Sequence, residues 1–206
     1  TCFKEHLQQL PLKPAAIVAD SIFGTEQNYE LLEGHQIESY MKFPTFQHEQ
    51  KRVFKTNPFL KENFSYNPQT DTYTCPDKRL LRYRHNEASS HRRSGYRSDF
   101  RIYQAENCSG CSLASRCKKS DEKNRLIRIN SKLEHYKSQA RLNLNSEKGI
   151  ALRRARGMEI ESCFGDIKHN MGFRRFHLRG KQKVNIEIGL VTMAHNLRKI
   201  QASKPA

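Results

Sequence analysis

Ala15-Ala-Ile-Val-Ala-Asp20, then Ser21-Ile-Phe-Gly-Thr-Glu-Gln-Asn-Tyr-Glu-Leu-Leu-Glu-Gly34, then Ile37-Glu-Ser-Tyr-Met-Lys-Phe43 is the stretch of this 206-residue chain that decides its fold class. The first run is apolar and ends in an acid, which suits a strand buried on both faces in a sheet covered by helices. Thr25 can cap a helix over residues 26–33, and Gly34 suits its C-terminal exit. Residues 37–43 read as a second strand, stopped at Pro44. Strand, helix and strand within about thirty residues make a βαβ unit, and with it an α/β fold. Upstream, Phe3, Leu7 and Leu10 mark the end of a short helix closed by Pro11 and Pro14.

From residue 44 to about residue 130 the composition changes to Lys, Arg, Asn, Ser and Tyr, with short alternating runs such as Asp71-Thr-Tyr-Thr-Cys75 and Leu80-Leu-Arg-Tyr83. Nothing here has a helix-length apolar pattern, so residues 44–130 read as an insertion of short strands and loops between residues 1–43 and 131–206. Within it, Cys108-Ser-Gly-Cys111 is followed by Cys117, with Cys75 far upstream. Three cysteines within ten residues plus a distant fourth suit a closed tetrahedral thiolate site, which points to structural zinc. His85 and His91 are reserve ligands. A disulfide framework or a redox pair is less well supported, because there is no export signal and no thioredoxin-like pattern around the cysteines. Helical spacing resumes over residues 133–141 and again from about residue 146 to Met171. Ile186, Leu190, Met193, Ala194, Leu197 and Ile200 recur at the spacing of a closing amphipathic helix.

Glu159-Ile-Glu-Ser-Cys-Phe-Gly-Asp-Ile-Lys-His-Asn-Met-Gly-Phe-Arg-Arg-Phe176 reads as one continuous helix. Ile160, Cys163, Phe164, Ile167 and Met171 form its apolar stripe, and Cys163 is expected in the core. On spacing alone Glu161 is a surface glutamate at the edge of that stripe. Arg153, Arg154, Arg156, Lys168, Arg174, Arg175, Arg179, Lys181 and Lys183 surround it in sequence. Phe173 and Phe176 read as core anchors, His169 and His177 flank the basic cluster, and His195 is expected to be structural.

Residues 160–180, I-E-S-C-F-G-D-I-K-H-N-M-G-F-R-R-F-H-L-R-G, resemble the glutamate-bearing helix of DDE transposases of bacterial insertion sequences, V-E-x-x-F-G-x-I-K-x-N-x-G-F-R-R-F-x-x-R-G. Ile17-Val-Ala-Asp-Ser-Ile-Phe-Gly-Thr-Glu-Gln-Asn-Tyr29 resembles the family's second catalytic aspartate, a strand, Asp, then G-x-x-x-N-Y, with Ser21 where Ala or Gly is usual. Cys75-Pro and residues 103–117 are similar to an insertion found in this group. The resemblance implies a ribonuclease H-like core interrupted by the zinc-binding insertion. It also implies Asp20 and Glu161 as two of three carboxylates holding two Mg2+ (or Mn2+) ions about 3.5–4 Å apart. The third should lie on an earlier strand, and residues 1–19 contain no Asp. The chain is therefore expected to be a C-terminal portion that lacks the first strands and is inactive without them.

The implied function is nicking and strand transfer at element ends. DNA is the partner, through Arg154, Arg156, Lys168, Arg174, Arg175, Arg179 and Lys181, and a homo-oligomer is left open. The implied setting is the bacterial cytoplasm, in association with the nucleoid. Charge agrees with this: 37 Lys and Arg against 21 Asp and Glu, a formal +16, favour a polyanionic partner. The absence of an apolar run of membrane-spanning length argues against a membrane. The rival readings are a non-catalytic nucleic-acid-binding remnant or zinc module, and a ribosomal protein, which would explain neither acidic motif. Phosphate-loop, dinucleotide and serine-elbow motifs are missing, which leaves nucleotide-driven and serine-hydrolase chemistry without support.

Overall fold

A computed structural model describes residues 2–118 and 124–203. The fold is mixed α/β and divides into two compact units, residues 1–146 and 147–206. In the first unit, α1 (Cys2–Gln9) precedes β1 (Ala16–Ala19), α2 (Glu26–Gly34) and β2 (Glu38–Met41). β1 and β2 pair in parallel, Ala16 opposite Glu38 and Ala19 opposite Met41, so the βαβ unit forms as its sequence predicts. β1 is only partly buried, not covered on both faces. Among the described residues it pairs with β2 alone, so its other edge has no strand against it.

Thr25 caps α2 by accepting the amide of Asn28 at 3.3 Å. The exit differs from expectation: Gly34 is still helical, and Gln36 takes the left-handed backbone with φ 53°. Gln36 N donates to Glu33 O at 2.8 Å and Ile37 N to Leu32 O at 2.9 Å. These two bonds make the six-to-one and five-to-two closure of a helix C-terminus, accompanied by burial of both Leu32 and Ile37.

Two short helices follow, α3 (Phe46–Glu49) and α4 (Arg52–Thr56), and then an antiparallel meander: β3 (Ser65–Asn67), β4 (Thr72–Thr74), β5 (Leu80–Ser90), β6 (Arg97–Ala105) and, after α5 (Ala114–Cys117), β7 (Leu126–Ile129). Short strands were expected, yet β5 and β6 run for 11 and 9 residues. Their base carries a core in which Leu81, Tyr103 and Ala105 pack with Phe64, Cys108 and Ile127, and Ile102 of β6 is buried as well. The outer half is polar and is held by its ladder and by α2: Tyr96 Oη donates to Glu30 at 2.5 Å and Ser98 Oγ to Glu26 at 2.6 Å.

α6 (Ser131–Asn145) packs on β2 and α2. Tyr136 stacks on Tyr29 with ring centroids 5.7 Å apart, and Asn143 Nδ2 donates to Ser39 O at 3.0 Å. Buried Asn130 caps α6 through Leu133 N at 2.8 Å and turns its amide to Glu26 at 2.6 Å. Glu26 thereby ties α2, β6 and α6 together.

The second unit begins with α7 (Glu147–Arg156) and continues through a π-helical turn (Gly157–Glu161), α8 (Ser162–Gly165) and a second π-helical turn (Asp166–Asn170). The helical path ends at Met171, because Gly172 adopts φ +69°. α9 (Lys181–Ala202) closes the unit. Two expectations need correction. The helix does not reach Phe176, so the arginines at 174 and 175 lie in a loop. Of the proposed stripe only Ile167 is buried, while Ile160 and Phe164 are exposed. The π turns supply the reason, since i-to-i+5 bonding spreads residues that α spacing would align. α9 forms as expected, yet Ile186, Leu190, Met193, Leu197 and Ile200 are exposed and its buried residue is His195.

Candidate functional site

Asp20 directly follows β1 and opens a 3-10 turn (Ser21–Phe23), closed by Phe23 N on Asp20 O at 3.0 Å. Its carboxylate is half exposed and lies 4.0 Å from Lys42 Nζ, at the end of β2. Each residue of the G-x-x-x-N-Y pattern holds this loop down. A Cβ on Gly24 would sit 2.1 Å from Lys42 O, so only glycine permits the approach. Asn28 Nδ2 donates to Phe23 O at 2.8 Å, and Tyr29 Oη, buried, donates to Met41 O at 2.9 Å. Burial pushes the Tyr29 phenol well above its ordinary range, so it remains a donor. The acid therefore stands at the C-terminal end of a parallel strand, where open α/β sheets place their ligands.

The four cysteines gather at the base of the meander. Cys75 and Lys78 close a tight turn, with Cys75 N bonded to Arg79 O and Lys78 N to Cys75 O, both at 2.9 Å. Gly110, at φ +65°, turns the chain between Cys108 and Cys111, and Cys117 lies in α5. Arg125 N donates to Cys108 Sγ at 3.3 Å and its guanidinium to Cys117 O at 3.0 Å. Arg79 donates to Asn107 O and Ser109 O at 2.7 and 3.0 Å, joining the two knuckles. Burial raises the Cys117 thiol, the Arg125 charge opposes this, and the neighbouring thiols of Cys75, Cys108 and Cys111 add to the rise. The four thiols are thus electrostatic neighbours. Even so, no group of three or more His, Cys, Asp or Glu among the described residues is drawn together closely enough to hold a metal ion. His91 is engaged in its own turn, Nδ1 lying 3.0 Å from Ser94 Oγ, and His85 is exposed on β5.

Glu161 ends the first π turn and is exposed. It belongs to the second unit and Asp20 to the first. Arg154 is exposed on α7, and Arg156, its last residue, is half-buried. Lys168 is exposed on the second π turn, its Nζ 5.9 Å from the Phe164 ring centre. Arg174, Arg175 and Arg179 are exposed in the loop before α9, which begins at exposed Lys181. That loop is anchored: Glu187 accepts the amides of His177 and Leu178 at 2.9 and 3.0 Å, and these bonds hold its carboxyl below the ordinary range. Phe173 and Phe176 pack edge to face, centroids 5.4 Å apart, although Phe176 is largely exposed. No neighbour lies within 4 Å of a Cβ placed on Gly165, so nothing in the structure explains that glycine.

The sequence reading passed over Asp166. Asn170 Nδ2 donates to its Oδ1 at 2.7 Å, and His195 Nδ1 lies 2.7 Å from its Oδ2. Those two contacts, with the Arg198 charge, hold the Asp166 carboxyl below its ordinary range. Cys163, assigned to the core, is only half-buried and meets His195 Nε2 at 3.0 Å. The i, i+4 pairing of Asp166 with Asn170 was the one visible signal.

Among the described residues, no helix is long and apolar enough to cross a membrane. No curated protein and no solved structure matches the chain. Residues 74–201 match the family model described as transposase DDE domain, a span that contains the cysteines of the meander, Glu161 and the basic loop. With more than half of its length matched, the chain belongs to the transposase DDE domain family.

Proposed function

We propose that this chain carries two of the three metal-holding carboxylates, Asp20 and Glu161, of a ribonuclease H-like transposase that nicks DNA at element ends and transfers the freed strand. The observation that carries the reading is the family match across Glu161 and its basic surroundings. It is supported by Asp20 standing at the end of a parallel strand in a loop held by Gly24, Asn28 and Tyr29. Hard, solvent-reachable carboxylate oxygens suit magnesium or manganese. Divalent cations held there would activate the attacking oxygen and stabilise the leaving one. Arg154, Arg156, Lys168, Arg174, Arg175, Arg179 and Lys181 bind the phosphate backbone, with anchoring of residues 177–178 on Glu187 limiting the conformational freedom lost on binding.

The thiols of Cys75, Cys108, Cys111 and Cys117 hold structural zinc in this reading. The donor set fits, because Arg125 N already donates to Cys108 Sγ, as thiolate ligands require. Closure of the two knuckles onto one ion would be needed to complete four thiolate ligands. The protein acts in the bacterial cytoplasm on nucleoid DNA, and more than one copy assembling on paired element ends is compatible with it.

The test is a titration of the 206-residue polypeptide against labelled duplex, paired with a magnesium-dependent nicking assay. Binding should weaken with salt at a slope of about −5 in log K against log salt, for about six phosphate contacts. Residues 1–19 hold no aspartate, so little nicking is expected until strands supplying one are added. Glu161→Gln should then abolish nicking and leave binding intact. Robust nicking by residues 1–206 that Glu161→Gln removes would overturn the three-carboxylate account, and failure to bind DNA even at low salt would overturn the whole reading.

A further inference from the structure

We propose that Cys163, His195 and Asp166 form a thiol-reactive site at which a hydroperoxide oxidises Cys163 to a sulfenic acid. The site lies wholly within the second unit and uses none of the residues assigned to metal or DNA. Cys163 Sγ is 3.0 Å from His195 Nε2, and His195 Nδ1 is 2.7 Å from Asp166 Oδ2. Nucleophile, base and orienting acid are thus in line, each within hydrogen-bond reach of the next. With Nδ1–H donated to Asp166, Nε2 is free to accept the thiol proton. Asp166 is itself held by Asn170 Nδ2 at 2.7 Å and by Arg198 at 3.7 Å, so the orienting acid is fixed in turn.

Two further features separate this arrangement from a chance contact. His195, 4% exposed, is the buried residue of α9, and burying a polar ring costs free energy unless both nitrogens are satisfied, as they are here. Cys163 remains half-buried beside a cleft of about 570 Å³ that is also lined by Ser162, Arg198 and Lys199. The cleft gives a small reagent access to the sulfur. Its two cationic side chains suit the negative charge that develops on a departing oxygen.

The step balances. As Sγ attacks the near oxygen of ROOH, an S–O bond forms and the O–O bond breaks. The thiol proton passes to His195 Nε2 and from there to the departing RO⁻, giving ROH. Sulfur loses two electrons and the peroxide gains them. Asp166 is a positioning residue, since it acts only through the imidazole. The product is a reversible rung of cysteine oxidation, which a second thiol can return to the starting state.

The test is brief exposure of the folded 206-residue protein to hydrogen peroxide with dimedone present, followed by mass spectrometry of the tryptic peptide bearing Cys163. Dimedone should mark Cys163 ahead of the other cysteines, and about a hundredfold faster than in His195→Gln, the low end of what loss of a positioned base costs, with Asp166→Asn in between. Cys163→Ser should carry no label on this peptide. Because His195→Gln can disturb the fold, the parent is also compared native and in urea, where folding should accelerate labelling of Cys163. Slower labelling in the native protein than in urea would overturn the proposal. So would equal labelling of the parent and a folded Asp166→Asn.

Discussion

The same substitution, Gly to Ala, made ten residues apart at Gly24 and Gly34, should change stability in opposite directions. At Gly24 an added Cβ would lie 2.1 Å from Lys42 O, 2.7 Å from Phe43 Cα and 2.8 Å from Lys42 C. All three are main-chain atoms, so no side chain can rotate aside. The loop after Asp20 must lift from the end of β2 by most of an ångström, straining the bond from Tyr29 to Met41 O. Overpacking of this kind costs about 1–3 kcal/mol, and two facing backbones place this case at the upper end. At Gly34 a Cβ meets nothing within 4 Å and the residue is helical, so alanine should stabilise by about 0.5–1 kcal/mol. All eight tyrosines lie between residues 29 and 136 and the chain has no tryptophan, so tyrosine fluorescence follows the first unit alone. In urea, with a slope of about 2 kcal/mol/M, Gly24→Ala should lower the midpoint by about 1.5 M and Gly34→Ala raise it by about 0.3 M. Equal midpoints for the two variants would refute the close approach, and with it the account of how the Asp20 loop is held.

Asn130→Ala removes the cap of α6 and leaves Glu26 short of a donor; a loss of about 2–4 kcal/mol is expected, read as a drop in the same urea midpoint. Glu49 offers a pH test. Burial would raise its carboxyl, but hydrogen bonds from Arg141 and Thr45 and the charges of Arg141 and Lys137 win and lower it. A depressed carboxylate stabilises the fold above its ordinary value of 4.5, and that contribution is lost as pH falls through the folded value below it. Arg141→Met should therefore cost more stability at pH 7 than at pH 3, and equal losses at both would show the pair to be idle. For the cysteines, metal analysis of purified protein should find one zinc ion, and chelation should loosen the meander, seen as faster amide exchange in β4 and the base of β5. Absence of zinc together with rapid native alkylation of all four thiols would remove that site.

What could be read from sequence was local. The βαβ unit follows from an apolar run, a threonine cap and a proline stop, each acting within a few residues. The outer half of the β5–β6 hairpin escaped because residues 84–90 have no apolar alternation; the ladder and the ties to Glu26 and Glu30 hold it instead. The exit of α2 was misplaced by two residues because Gln36, not glycine, accepts the left-handed backbone. In the helix of Glu161 the period itself was misleading, since π turns are invisible to a 3.6-residue count. Motif positions such as Gly24, Asn28 and Tyr29 could be matched as a pattern, yet their physical task appears only when Lys42 and Met41 are brought beside them by strand pairing.

The two acidic motifs are ordered in different ways. The loop of Asp20 is fixed by backbone proximity, a side-chain bond to a carbonyl and a buried phenol, so most changes around it act first on the fold. Glu161 stands exposed on a π turn whose neighbours Ile160 and Phe164 are exposed as well. A substitution there removes little packing, and exposed positions away from caps and cores usually change stability by no more than about 0.5 kcal/mol. That asymmetry makes Glu161→Gln the cleaner probe of chemistry. π turns also recur at functional sites because the widened turn re-aims side chains without breaking the helix. Here two such turns bracket the four residues that follow Glu161, while Asp166, tied to Asn170, His195 and Arg198, pins the second turn to α9. The segment that carries Glu161 is therefore tied to α9 at its second turn, while Glu161 itself stays exposed and free of packing constraints that a substitution would disturb.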